Sequence, residues 1–173
     1  MCMMGRFMLF LTIVAGLVTG HFIGQIVGVL VVPYILFILT VSTAGEHYVS
    51  GKGYYRYTES NGYFIGRVPL WIPLMWVATI QYSLLVGWLL NSNPIVSIML
   101  SGLICLTLDS LFIEPYLCKK KQLWNWLEVD SGYFSFLPQS INRFTAPPGN
   151  YIVWLLFPLI ANFGLLMGSI FLF

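Results

Sequence analysis

The chain has 173 residues, of which 58% are hydrophobic and only 8% charged, and its net charge is +2. A soluble domain carries about 25% charged residues, so this composition excludes a water-soluble globule, and it is too apolar for intrinsic disorder. Nucleic-acid binding has no electrostatic basis at this charge, and three scattered cysteines with two histidines supply neither a disulfide framework nor a metal-ligand spacing.

The expected class is an all-α, polytopic integral membrane bundle, with residues 1–173 forming a single transmembrane domain. A spanning helix needs about 20 mostly apolar residues. Residues 7–41 contain no Asp, Glu, Lys or Arg and are too long for one such helix. Gly16, Gly20, Gly24 and Gly28 form a small-residue stripe suited to close helix contact. Pro33 suits the first turn of a new helix. Spans are therefore predicted at 7–29 and 33–49, followed by 68–90, 95–117 and 148–172. Asn91-Ser92-Asn93-Pro94 is a tight turn signal between the third and fourth. Reading residues 1–20 as a signal peptide is disfavoured, because the cleavage signal is poor. His21 and Gln25, four apart on one face, are expected to serve an interhelical hydrogen bond. The Lys119-Lys120-Lys121 run is expected to anchor a helix end at anionic headgroups.

Charge placement tests this division. With five spans, all eight basic residues fall on the side of the N-terminus. The positive-inside rule then puts the N-terminus and both long loops in the cytoplasm, with the cell membrane as the expected location. A single crossing over residues 7–41 would split the basic residues between the two sides.

The two long loops resemble each other. One contains Gly62-Tyr63-Phe64-Ile65-Gly66-Arg67-Val68-Pro69, the other Gly132-Tyr133-Phe134-Ser135-Phe136-Leu137-Pro138. Each follows a helix expected to end at a glutamate, Glu46 or Glu114, with 23 residues from glutamate to proline in one and 24 in the other. Spans two–three and four–five then form a parallel two-helix repeat about an axis along the membrane normal. The plainer alternative is shared composition, since Trp and Tyr belong at the headgroup level.

Three of the six acids are placed for chemistry. Glu59, Glu128 and Asp130 sit in polar loop sequence and read as solvated charges. Asp109 lies eight residues inside the 95–117 span, roughly 12 Å from the interface at about 1.5 Å per residue. An ionised carboxylate near the bilayer centre costs about 3 kcal/mol or more. Glu114 and Glu46 lie in the last turns of their helices. On an α-helix, Asp109 and Glu114 are about 140° apart, so they border one cavity rather than share a stripe. No Lys or Arg lies within any span, which leaves Gln81, Asn162 or a tyrosine as partners for Asp109. Apolar burial favours the neutral form of a carboxylic acid, a proton donor, and aromatic faces stabilise cations. Protonation of an alkene to a carbocation suits this combination.

Three features together resemble the membrane carotenoid-biosynthesis hydratases, the bisanhydrobacterioruberin and γ-carotene 1′,2′-hydratase group. They are Gly45-Glu46-His47 with the Gly/Tyr-rich stretch to Tyr57, Val68-Pro69-Leu70-x2-Pro73-Leu74-x-Trp76, and Leu108-Asp109-x4-Glu114-Pro115 followed by Trp124-x-Trp126, Tyr133-Phe134 and Pro138-x3-Asn142. The chain departs from the family pattern at Ser135-Phe136 and Arg143-Phe144. The resemblance implies addition of water to the terminal isopropylidene of a polyene, with no metal and no cofactor. Asp109 would protonate the alkene, and Glu46 or Glu114 would deprotonate the water. Tyr54, Tyr57, Trp76, Trp124, Trp126, Tyr133 and Asn142 fall within the matching motifs and are the implied substrate-binding residues. The implied partners are a lipid-soluble polyene or isoprenoid and membrane lipids, with a homo- or hetero-oligomer as a further option. Two other readings stay open: a membrane terpenoid or carotenoid cyclase, where an alkene captures the cation, and a non-catalytic small subunit of a membrane complex.

Overall fold

The computed structural model describes residues 3–127, 133–138 and 144–172, with residues 171 and 172 as backbone only. Glu128, Asp130, Gly132, Asn142 and Arg143 lie outside the described residues. Five long helices dominate: α1 (Met3–Val27), α2 (Val31–Gly51), α3 (Trp71–Leu90), α4 (Pro94–Leu108) and α5 (Pro148–Leu172). Four helical runs are long and apolar enough to cross a membrane: Met3–Gly51, Trp71–Leu90, Pro94–Lys120 and Pro148–Ile170. The protein is an all-α membrane helical bundle.

The first run of 49 residues holds two helices. It breaks in the 3-10 turn Gly28–Leu30, where Gly28 takes φ +60, a conformation glycine adopts without penalty. The chain then doubles back. Gly24 faces Val31 and Gly20 faces Ile35 across the hairpin. The start of α1 also returns to the first loop, where Gly5 packs directly on the backbone of Asn61 and Gly62. The second helix begins at Val31, two residues ahead of the proline expected to open it.

Glycines set the close approaches. Gly16 and Gly20 of α1 lie against Val77 and Gln81 of α3. Gly102 of α4 has Leu155 and Leu159 of α5 so near that a Cβ would meet them at 2.8–2.9 Å. The α3–α4 turn forms at the predicted place. Pro94 sits in the first turn of α4, and the Asn93 side chain accepts hydrogen bonds from the amides of Ile95 and Val96 at 2.9 and 3.2 Å. A buried polar chain ties three helices: Tyr34 donates to Asn162 at 2.5 Å, and Asn162 donates to Ser101 at 2.7 Å. His21 and Gln25 bond to each other along the exposed face of α1, within one helix rather than between helices.

Beyond Leu108 the fourth helix widens. Asp109–Lys120 is wound as a π-helix, with hydrogen bonds spanning five residues. Pro115 lies inside this segment. It has no N–H to donate in either winding, and in an α-helix its ring would strike the carbonyl four residues back, a clash that the wider winding eases. The helices also run past the two glutamates, to Gly51 and to Lys120, instead of ending at them.

Four short strands lie in the connections: β1 (Tyr55–Tyr57), β2 (Phe64–Ile65), β3 (Val68–Pro69) and β4 (Trp124–Trp126). β2 and β3 make a hairpin. β1 and β4 pair antiparallel, with Tyr55 opposite Trp126, Arg56 opposite Asn125 and Tyr57 opposite Trp124. The two long loops thus pair with each other through these strands.

Candidate active site

The π winding decides how the acids meet. With bonds from i to i+5, residues five apart lie about one turn above each other, so Asp109 and Glu114 share a face instead of standing 140° apart. Both are buried, Asp109 at 0% exposure and Glu114 at 2%. Glu46 approaches from α2. The three carboxylates border one small chamber of about 40 Å³, walled also by Tyr55, Tyr57, Trp124, Trp126, Asn150 and Trp154.

Each acid is held differently. Glu46 accepts three hydrogen bonds: from the Tyr55 hydroxyl, from the Tyr57 hydroxyl at 2.7 Å and from Trp76 Nε1 at 2.9 Å. Three convergent donors suit an ionised carboxylate, which only accepts. Burial, and then the charge of Glu46, push the Tyr55 and Tyr57 hydroxyls well above the usual tyrosine range, so both remain donors. Glu114 accepts from Trp126 Nε1 at 3.0 Å and from the Thr145 hydroxyl at 3.2 Å. Asp109 accepts a bond from Asn150 Nδ2 to Oδ2 at 2.8 Å, and its other oxygen, Oδ1, is buried with no partner among the described residues. Among the described residues, no Lys, Arg or His lines the chamber.

The two glutamates are served from corresponding places. Tyr57 and Trp126 stand eleven and twelve residues beyond their glutamates, and Trp76 and Thr145 each stand seven beyond the loop proline. Asp109 breaks the correspondence, since five residues before Glu46 the chain has Val41.

A second cavity of about 620 Å³ adjoins the chamber and is lined mainly by apolar atoms. It lies between α2 and α5, from Val41 to Val49 on one side and from Pro147 to Phe157 on the other. Glu46, Tyr55, Trp126 and Asn150 border both spaces. Trp76 lies on its wall, stacked on Trp154 with ring centroids 3.7 Å apart.

The structure thus brings together Asp109, Glu114, Glu46, Tyr57, Trp124 and Trp126 at the chamber, and Tyr54 and Trp76 at the apolar cavity. Tyr133 stands apart. Its hydroxyl donates to the Leu127 carbonyl at 2.5 Å, and it lines neither space. Asn142 lies outside the described residues. The expected partners of Asp109 are engaged elsewhere, Gln81 with Thr19 and Asn162 with Tyr34 and Ser101. Asn150 takes that role, and Thr145, Tyr55 and Trp154 were likewise missed. Asn150 sits two residues after Pro147-Pro148, a helix start, where an asparagine is ordinarily a solvated first-turn residue.

Fold and site define a class: a helical membrane protein with a cluster of buried carboxylates beside an apolar cavity. The chain belongs to the carotenoid biosynthesis protein family, whose sequence profile matches residues 3–168. No curated protein and no solved structure matches it. The membership assigns the protein a role in carotenoid metabolism.

Proposed function

We propose that the protein is a carotenoid hydratase that adds water to a terminal isopropylidene double bond. One observation carries the reading. A fully buried carboxyl oxygen, Asp109 Oδ1, has no partner among the described residues, and Asp109 edges a chamber shared with two other carboxylates, beside an apolar cavity.

The polyene end enters from the cavity between α2 and α5. Neutral Asp109 gives its proton to the less substituted alkene carbon, the π pair forms the new C–H bond, and a tertiary cation remains. Trp126 and Tyr55, at the border of the two spaces, present π faces to that cation. A lone pair of water attacks it. Glu46 or Glu114 takes the proton that water releases, and proton return to Asp109 resets the site. The chamber's 40 Å³ exceeds the roughly 10–15 Å³ that one water needs. A non-catalytic subunit would need no cavity at Asp109.

Membrane orientation follows from charge. The start of α1 and the first loop lie at one end of the bundle, and with the basic residues gathered there the N-terminus and both loops are cytoplasmic, with five crossings of the cell membrane.

Expression of Asp109→Asn, Glu46→Gln and Glu114→Gln in a host that makes an acyclic carotenoid tests the scheme. Hydroxylated product is expected to fall at least about 100-fold for Asp109→Asn, the usual range for loss of a general acid, with protein level and helical content unchanged. Full activity in all three variants would sink it. A new product without a hydroxyl would assign the site to cyclisation.

A further inference from the structure

A second polar concavity lies on the loop end of the bundle, away from the acids. Its volume is about 470 Å³, and Ser50, Gly51 and Gly53 at the end of α2, β1, and Gly66-Arg67 at the β2–β3 turn line it. Arg56 and Arg67 both border it. Strand alternation turns the exposed Arg56 to the opposite side of β1 from Tyr55 and Tyr57. The Arg67 guanidinium lies so close over Gly51 that any Cβ there would collide with it. Glycine at 51 therefore makes the space that Arg67 occupies.

Among the described residues, neither arginine has an acidic partner, and Glu59, the nearest acid in sequence, does not line the pocket. Two guanidinium groups around one concavity repel each other until an anion joins them. The planar fork of arginine fits phosphate oxygens in pairs. The pocket lies at the loop end of the bundle, beyond the apolar runs, and in the orientation proposed above that end faces the anionic leaflet.

We propose that this pocket binds a phosphate group between Arg56 and Arg67. That chemistry is shared by an anionic lipid headgroup and by free phosphate. Because Tyr55 and Tyr57 border this pocket as well as the acid chamber, an anion held here braces the strand that positions Glu46.

The full chain, purified in neutral detergent, tests the proposal with three probes: phosphatidylglycerol, phosphatidylcholine and inorganic phosphate. Phosphatidylglycerol is expected to raise the thermal midpoint and phosphatidylcholine is not. R56Q and R67Q are each expected to weaken the effect about tenfold, and R56Q/R67Q to abolish it with helical content intact. A rise given by phosphatidylglycerol but not by inorganic phosphate assigns a headgroup. An equal rise with inorganic phosphate, also lost in the variants, assigns a soluble phosphate. The proposal is overturned if no probe shifts the wild type, if phosphatidylcholine matches phosphatidylglycerol, or if the single variants respond as fully as the wild type.

Discussion

Glu46 depends on two tyrosines that keep their protons. Tyr55 and Tyr57 hold their hydroxyls above the ordinary value of 10.0, first through burial and then through the neighbouring carboxylate. The consequence for stability has a definite sign. Below pH 10 both folded and unfolded chains carry these protons, so stability does not change on their account. Above it the unfolded chain ionises first, and the folded state loses ground as pH rises. The thermal midpoint is expected to stay level from pH 7 to about 10 and to fall beyond. Tyr55→Phe/Tyr57→Phe should flatten that fall while lowering the midpoint at pH 7, where Glu46 loses two donors, each worth about 1.5–3 kcal/mol to a charged acceptor. A midpoint series across pH in both proteins checks it. An unchanged alkaline fall in the double variant would remove the tyrosines as its source. Asp109 stood out in the sequence as a candidate because an acid inside an apolar run is costly wherever it points. Its partner was not, since Asn150 belongs to a helix 41 residues away that only the fold brings alongside.

At the scale of elements, the long helices were readable because the membrane imposes a length and a composition on each span. The predicted 95–117 and 148–172 fall almost on the observed Pro94–Lys120 and Pro148–Leu172. What hydropathy does not encode is winding. Asp109 and Glu114 look divergent on an α-helical wheel, and the turn that unites them comes from Pro115, visible in the sequence but silent about how the chain accommodates it. β1 and β4 escaped for a related reason. Tyr-Arg-Tyr and Trp-Asn-Trp read as aromatic interfacial loops, and their alternation gains meaning only when the two are paired. The π segment yields a separable prediction. Pro115→Ala removes the obstruction and restores a donor, so the segment can tighten to an α-helix. Thermal stability should hold or rise, by at most about 3 kcal/mol. Hydration should drop at least about tenfold as Glu114 swings from the face of Asp109. Retained product with a raised midpoint would show that the wide turn is not needed for the chemistry.

Across the whole molecule, the two helix pairs meet unequally. Between α3 and α4 the backbones close up at Gly87 against Ser97. The corresponding seam between α2 and α5 opens into the apolar cavity, whose wall includes two glycines, Gly45 and Gly149. A Cβ at either would meet no atom within 4 Å. Side chains can therefore be added there without disturbing the packing, which separates access from folding. Gly45→Trp and Gly149→Trp should leave the thermal midpoint within a few degrees of wild type and cut hydroxylated product at least about tenfold, because the ring fills the space a polyene end must cross. Gly164→Trp is the control. Its Cβ is equally unopposed, but it lies at the remote α2–α5 pocket beside Tyr34 and Leu165, so activity should persist. Gly102→Val marks the opposite case. It places a Cβ against the Leu155 carbonyl at 2.9 Å, and overpacking of this kind costs about 1–3 kcal/mol, so activity should fall only in step with folded protein. If Gly45→Trp and Gly149→Trp keep full product while Gly164→Trp loses it, the substrate reaches the acids by another path, and the gap between α2 and α5 is filled by lipid alone.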